Sequence, residues 1–396
     1  MAQIAVIERK CTGCGLCVSN CPFGAIEMVN GKPELNAACK VCGICVKNCP
    51  EKAILKLETK VKSVDKSKWN DILVYAEVSG GRLHPVGIEL IGKAQEMCKS
   101  VPGFKVKAVL VGDGVTPFAE ELRHYGVSEV AVYDDPELAY YRADAYASCV
   151  EDYIKYAKPS VVLVGATALG RSLAPRLSTR FHTGLTADCT TLILRETTDL
   201  VQIRPAFGGN IMAQIVTLNT RPQFATVRYK VMSPALRTDE ANGTVLPRKI
   251  PKSVFESPVS CVSVVPVPPK KSISDAEILV VGGRGLQKES DLDMIRELAS
   301  LLGGDWAVTR PIVEKGWTTN ERQIGLSGRT VRPRLIITCG VSGAIQFTAG
   351  MNASEHIVAI NNDKTAPIFD VAHIGIVDDL YQVIPKLIVK LKEAHA

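Results

Sequence analysis

The sequence predicts an α/β chain: two Rossmann-like or flavodoxin-like domains behind a small α+β head, and three observations lead there. Strand-like apolar runs alternate with helix-length stretches twice over, in residues 69–250 and again in 272–396. That alternation is the pattern of parallel sheets wound by right-handed crossovers. A Pro-rich stretch, 247–271, divides the two regions and suits neither helix nor central strand. Ahead of both, residues 1–60 carry a doubled, evenly spaced cysteine pattern.

Composition sets outer limits. A chain of 396 residues exceeds what one hydrophobic core organises. Hydrophobic residues at 46% and charged ones at 22% are those of a globular protein. No apolar run reaches membrane-spanning length, and Met1-Ala2-Gln3 leads into a strand-like run instead of a basic and then apolar leader. A cytoplasmic protein without a membrane span is therefore expected. The net charge of +6 comes without a Lys/Arg block interleaved with aromatics, which argues against nucleic acid and leaves room for an acidic partner.

The head comes first along the chain. Of 13 cysteines, Cys11, Cys14, Cys17 and Cys21-Pro22 recur as Cys39, Cys42, Cys45 and Cys49-Pro50, and Ala25-Ile26 recurs as Ala53-Ile54. Two copies of one unit follow, each too short to bury a core without its twin. Both have the form C-x₂-C-x₂-C-x₃-C-P, in which the fourth cysteine ligates the other cluster. By that rule Cys11, Cys14, Cys17 and Cys49 hold one [4Fe-4S] cluster, and Cys39, Cys42, Cys45 and Cys21 hold the second. Gly13, Gly15 and Gly43 free the backbone for so tight a loop. Structural zinc is the alternative, but zinc sites pair two short knuckles across a longer gap. Residues 1 to about 58 resemble two-cluster bacterial ferredoxins, which implies low-potential, one-electron chemistry. The other five cysteines, Cys98, Cys149, Cys189, Cys261 and Cys339, read as small hydrophobes.

Residues 58–68 are rich in Lys and Ser and read as a linker. The middle domain then offers strands at 72–78, 106–111, 130–133 and 161–164, with helices at 85–99, 117–125, 137–156 and 169–181. From 191 to 227 the runs 191–194, 201–205, 211–218 and 224–227, broken by a turn at Gly208-Gly209-Asn210, are expected to extend the sheet with antiparallel strands. His84, His124 and His182 stand alone, and no catalytic set emerges.

In the last domain, strands are expected at 278–281, 335–339 and 357–360, and helices at 289–302, 344–349 and 378–392. Val280-Val281-Gly282-Gly283-Arg284-Gly285 puts a glycine turn and an arginine after a strand and before a helix, where open α/β sheets bind ligands. Amides at a helix start bind phosphate, and Arg284 adds a charge-assisted bond. Cys339-Gly340-Val341-Ser342-Gly343-Ala344-Ile345-Gln346 repeats the arrangement, so two turns of one sheet converge on one dinucleotide.

On these stretches, with Ala359-Ile360-Asn361 and Pro367-Ile368-Phe369, the chain from about Trp69 onward resembles the alpha subunits of electron-transferring flavoproteins. The resemblance implies FAD in the last domain, with Arg284 near the pyrophosphate and Thr309 and Arg310 beside the isoalloxazine ring. Ile324, Gly325, Leu326 and Ser327 would line the flavin edge. Ser342, Gly343, Ala344, Ile345, Gln346 and Phe347 would form the turn beneath the cofactor. Asn361, Asp379 and Leu380 would hold the ADP half. Phe347 departs from the family, where many members have a histidine that donates to the flavin.

The resemblance further implies a heterodimer with a beta subunit through the middle domain, an acyl-CoA dehydrogenase or reductase-type flavoenzyme as partner, and an external ferredoxin. Flavin and cubane clusters on one chain point to flavin-based electron bifurcation, in which NADH oxidation drives reduction of an acceptor and of ferredoxin. The two-cluster head resembles the caffeyl-CoA reductase type. A complex serving lactate dehydrogenase or another acyl-CoA dehydrogenase is the alternative, as is a self-contained flavin and iron–sulfur reductase. The chain is thus expected to act as an enzyme subunit without turnover of its own.

The cysteine pattern generates a test. Anaerobically purified chain should hold about eight iron atoms, two cubes by the ligand rule. A Cys49→Ser variant should lose the cluster of Cys11, Cys14 and Cys17 while the other keeps its electron paramagnetic resonance signal. Four iron atoms in the parent chain would refute the two-cluster reading.

Overall fold

The computed structural model describes residues 2–58, 63–206, 211–257, 259–265 and 271–395. The chain divides into two compact units, 1–64 and 65–396.

In the first unit, strand Ala2–Val6 pairs antiparallel with Ile54–Glu58, and Ile26–Val29 forms a hairpin with Lys32–Leu35. The hairpin turns on Asn30 and Gly31 at φ 50° and 74°, the left-handed pair that an Asn-Gly turn supplies. Two four-residue helices, Leu16–Ser19 and Ile44–Lys47, are each entered from a left-handed glycine, Gly15 and Gly43. The sequence repeat is thus a repeat of structure. Its buried core is small: Ile4, Cys17, Ala25, Ile26, Cys45, Ala53 and Ile54.

The second unit opens on a short turn, Lys66–Lys68, capped by the Asp65 carboxylate. Lys66 Nζ lies 2.6 Å from Asp199 Oδ1, and the nearly buried Arg221 lies 2.8 Å from the same atom. The linker expected at 58–68 is therefore shorter. Glu58 ends a strand and 66–68 belongs to the second unit, while 59–62 fall outside the described residues.

A seven-stranded sheet follows, in the order Leu185–Cys189, Gln223–Val227, Val161–Gly165, Ile72–Tyr75, Val106–Gly112, Glu129–Asp134, Thr244–Pro247. All neighbouring pairs are parallel. Helices Pro85–Cys98 and Thr116–Arg123 bury Leu90, Ile91 and Leu122 against one face. Ala143–Ala157 and Ala168–Arg180 bury Val150, Tyr153 and Leu173 against the other.

One expectation fails here. Thr191–Leu194, Leu200–Ala206 and Ile211–Val216 do not extend this sheet; they form a separate three-stranded antiparallel sheet. Burial explains the division. Thr191–Leu194 alternates exposed and buried, which suits a sheet with one wet face. Gln223–Val227 is buried at every position and joins the parallel sheet between two neighbours. The turn expected at Gly208-Gly209-Asn210 lies outside the described residues. The Pro-rich connector also begins later than expected, because Thr244–Pro247 is the edge strand, where a proline costs no ladder bond.

The last sheet has five parallel strands, in the order Asp305–Val308, Ile278–Gly282, Leu335–Cys339, His356–Asn361, Ile374–Val377. Numbered along the chain, that order is 2-1-3-4-5. Helices Leu292–Leu301 and Leu380–His395 pack Ile295 and Ile384 on one face, with Phe347, Met351 and Ile368 on the other. The short strands Asp305–Val308 and Ile374–Val377 escaped the sequence reading.

A buried acid on the first large sheet yields a prediction. Glu89 is 5% exposed, and its carboxylate accepts the Lys230 main-chain N–H at 3.1 and 3.0 Å. Burial pushes its pKa up to about 7. Because the folded value lies above the unfolded one, about 4.3, Glu89 stabilises the fold relative to an ionised chain below that value. This stability is lost as pH rises to 7, by up to about 3 kcal/mol. A Glu89→Gln variant keeps the acceptor oxygen and should melt at a higher temperature than the parent at pH 8, with a smaller difference at pH 5. Equal melting curves at both pH values would remove Glu89 from the pH dependence.

Candidate functional site

The head holds two cavities, and the repeat crosses between them. Cys11, Cys14, Cys17 and Cys49 line one; Cys21, Cys39, Cys42 and Cys45 line the other. The fourth cysteine of each run thus stands with the other run's triplet. Main-chain amides point at the two crossing sulfurs: Ala53 N–H donates to Cys49 Sγ at 3.3 Å and Ala25 N–H to Cys21 Sγ at 3.4 Å. Burial pushes the Cys17 and Cys45 thiols up, so either thiolate needs a bound positive charge to persist.

Among the described residues no three His, Cys, Asp or Glu side chains converge as they would on a single metal ion. The sulfurs stand around the walls of a space, which fits a polynuclear cluster with an iron at each corner better than one tetrahedral zinc. Gly13 closes the first wall: a Cβ there would meet the Gly31 carbonyl at 2.7 Å.

The second site lies at the carboxyl ends of Ile278–Gly282 and Leu335–Cys339, where the strand order reverses and open α/β sheets leave a crevice. Main chain meets main chain there. Gly283 N–H donates to Cys339 O and Gly285 N–H to Gly340 O, both at 2.9 Å. A Cβ on Gly283 would lie 2.3 Å from Gly340 O, and one on Gly343, at φ +85°, 2.1 Å from Ile368 N.

Beside these turns a cleft of about 330 Å³ is lined by Arg284, Ser342, Asn361, Asp379 and Leu380, five of the expected site residues. Asn361 spends both ends of its amide on the protein, donating to Val341 O at 2.8 Å and accepting from Asp363 N–H at 2.9 Å. These bonds shape the turn, and they use one of the two N–H donors of the amide. Asp379 Oδ1 accepts Tyr381 N–H at 3.0 Å, and its carbonyl accepts Gln382 and Val383 N–H, so it starts the helix at the cleft's edge.

Gln287, Asp363 and Tyr381 also line the cleft and were missed. Tyr381 O–H donates to Asp291, while its oxygen accepts Gln287 N–H at 2.9 Å, tying the Gly285–Asp291 loop to the last helix. No local motif announces this tie, since its two ends are ninety residues apart. The polar run Asn361-Asn362-Asp363 was the signal for the other omission.

The remaining expected residues gather beside the first turn. Thr309 N–H donates to Gly282 O at 3.1 Å, Ile324 N–H to Val308 O at 3.0 Å, and Leu326 N–H to Gln346 O at 2.8 Å. The loop of Ile324, Gly325, Leu326 and Ser327 and the turn of Ala344, Ile345, Gln346 and Phe347 are thereby neighbours. Thr309 is 7% exposed, and its hydroxyl has no hydrogen-bond partner among the described residues. A buried orphan of this kind fits a polar ligand atom. Ser327 Oγ accepts the Gln323 side-chain N–H at 2.8 Å, which leaves its own proton free to donate.

Arg310 is exposed and paired with Glu314 at 2.8 Å. Ile324 and Phe347, 2% and 6% exposed, belong to the apolar core, so Phe347 serves packing where a donor was the family pattern. Gly325 and Leu326 border a smaller hollow, about 140 Å³, that Asp188, Arg204 and Arg228 of the larger sheet domain also line. In that domain the lone histidines serve structure: His84 Nδ1 accepts Val86 N–H at 3.2 Å, and His124 Nδ1 lies 2.9 Å from Thr238 O.

Comparison with known proteins follows the same divisions. Residues 10–54 match the 4Fe-4S dicluster domain, 72–251 the electron transfer flavoprotein domain, and 272–352 the electron transfer flavoprotein FAD-binding domain. The lactate dehydrogenase (NAD(+),ferredoxin) subunit LctC of Acetobacterium woodii is 51% identical over 372 residues, 94% of this chain and 89% of that protein. The electron transfer flavoprotein subunit alpha of Thermoanaerobacterium thermosaccharolyticum is 43% identical over 328 residues, 82% of this chain and 98% of its own length. Protein FixB of Azorhizobium caulinodans is 38% identical over 324 residues, 81% of this chain and 88% of its own.

The two kinds of contact in the cleft separate in a retention measurement. With Arg284 expected at the pyrophosphate, Arg284→Ala should remove a charge-assisted bond, roughly 1.5–3 kcal/mol, and FAD affinity should fall ten- to hundredfold with iron content unchanged. Gly343→Ala forces a Cβ into the Ile368 main chain and should lose FAD at least as completely. FAD-to-protein ratios after gel filtration check both, and full occupancy in Arg284→Ala would take that residue out of the site.

Proposed function

The chain belongs to the family of electron transfer flavoprotein alpha subunits, and from that premise we propose that it is the electron-carrying subunit of a bifurcating lactate dehydrogenase, linking NAD, lactate and ferredoxin. One observation carries the reading: the match to the lactate dehydrogenase subunit spans too much of the chain to leave the head out. The alpha subunit from Thermoanaerobacterium, nearly complete in its own match, lacks a segment of about that size. The caffeyl-CoA acceptor favoured by the head's resemblance draws no support from these relatives, and lactate replaces it.

In this reading FAD, when bound, takes up electrons in pairs and releases them singly, and each cube carries one. The eight head cysteines are the ligands, four to each cavity. Arg284 and the glycine turns take the pyrophosphate, and the 2-1-3-4-5 strand order supports a flavodoxin-like domain with its ligand at the reversal. Thr309 and Ser327 supply the two free hydroxyls on the ring side, with Gln323 orienting Ser327. A beta subunit and a lactate-oxidising flavoenzyme complete the complex, so the substrate is bound on another chain.

The boundary between the two units gives the test. A chain beginning at Asp65, assembled with its partners, should keep its FAD and its partner subunits but lose most ferredoxin-linked turnover. Full-rate ferredoxin turnover by the truncated complex would place the clusters off the electron path. Lactate turnover by the purified alpha chain alone would instead make it a self-contained reductase.

A further inference from the structure

The two halves of the head repeat one another in fold but not in surface chemistry. Position by position, Thr12 corresponds to Lys40, Cys14 to Cys42, Leu16 to Ile44, Ser19 to Lys47, and Phe23 to Glu51. Cys14 and Cys42 are the exposed cysteine of each triplet. Leu16, Phe23 and Ile44 are 45%, 45% and 37% exposed.

Because the fourth cysteine crosses over, its neighbour crosses too, and the differences add up on opposite sides. Phe23, Lys40 and Ile44 border the cavity of Cys42, where Lys40 is the only charged residue among the described ones. Lys47 lies on the helix of Ile44, three residues on and so on the same face. Around the cavity of Cys14 the corresponding positions are Thr12, Leu16 and Glu51, with Glu51 the only charge. Lys32 approaches that half but donates to the Glu8 and Cys11 carbonyls at 3.1 and 2.5 Å. Arg9 and Lys10 do not border that opening, and Lys47 does not border the other, so among the described residues the charges at the two rims are Glu51 and Lys40.

We propose that the Cys42 face is the docking surface for ferredoxin, taken as a small acidic iron–sulfur protein, and that the Cys14 face is not. The inference rests on the ferredoxin-linked function and on the cluster ligation proposed above. Phe23 and Ile44 offer an apolar contact beside the exposed cysteine, where two clusters approach most closely. Lys40 and Lys47 ring that contact with positive charge, which speeds encounter with an acidic surface and orients it. Glu51 repels the same partner from the opposite opening. A small contact of this kind suits a transient electron-transfer encounter better than a permanent complex.

The experiment uses the assembled complex and a purified acidic two-cluster ferredoxin as probe, at low and at moderate ionic strength. Lys40→Gln with Lys47→Gln should raise the KM for ferredoxin roughly tenfold at low salt and flatten its salt dependence, with kcat and an iron content of two clusters retained. Lys40→Arg with Lys47→Arg should restore the parent KM. Thr12→Glu with Ser19→Glu, the same positions on the other half, should leave KM within about twofold of the parent. An unchanged KM in the glutamine pair, or an equal rise in the Thr12/Ser19 pair, would overturn the assignment of the face. A parent complex that passes no electrons to or from ferredoxin would overturn the function itself.

Discussion

The flavin domain depends on a contact that only glycine permits, the main chain of Gly285 lying against that of Gly340. A Cβ on Gly285 would sit 2.8 Å from the Gly340 Cα, and one on Gly340 2.9 Å from the Gly285 Cα. The two turns follow the strands at which the sheet order reverses, so their closeness sets the floor of the cleft. Arg284, between Gly283 and Gly285, and Ser342, next to Gly343, both line the cleft above that floor. Leu380 then packs over Gly340, which carries the start of the last helix to the same place. Cleft, the arginine on its wall and helix terminus all follow from one backbone approach.

The head rests on a different constraint. Among the described residues seven buried hydrophobic side chains, two of them cysteines and two alanines, form its core, too little apolar surface to offset the ordering of some sixty residues. Its chain is led around two cavities by left-handed positions that come in pairs, Gly15 with Gly43 and Gly13 with Val41. Valine at φ 53° is an uncomfortable substitute for glycine, and a bound cluster supplies the binding energy that holds such a loop. Cofactor and fold are coupled here, whereas the flavin cleft is built from elements that already pack on their own core.

The sequence was legible where one residue type answers one local demand. Long strands bounded by glycine and helices with a single apolar stripe came out within a few residues, for example Leu335–Cys339 and Pro85–Cys98. Cysteine spacing carried the crossed grouping, because it encodes a rule of connectivity. Legibility failed where position in the assembly decided. Leu185–Cys189 holds Thr186 and Asp188 and looks polar, yet it closes the edge of a parallel sheet. The strands 191–216 have the same composition as sheet extensions and differ only in having a wet face. Asn361 and Phe347, read by resemblance as cofactor contacts, also serve the protein: Asn361 holds two main-chain groups beside the cleft it lines, and Phe347 packs in the core.

The same logic explains why the electron acceptor was the weakest part of the reading. Nothing in this chain has to recognise lactate or an acyl-CoA if the substrate is oxidised on another subunit. Its own residues act on retention of FAD, on the hydrogen bonds at the ring and on the surroundings of two clusters. Those tasks are set by the cofactors and not by the substrate, so they do not point to an acceptor. In the function proposed above the head is different, because a carrier that docks there meets this chain's own surface. There the repeat serves as an internal control: one fold, two faces with exposed apolar side chains, and a lysine at the rim of one where the other has a glutamate. Repetition fixes what both halves need to hold a cluster, so the positions that break it mark what only one half does.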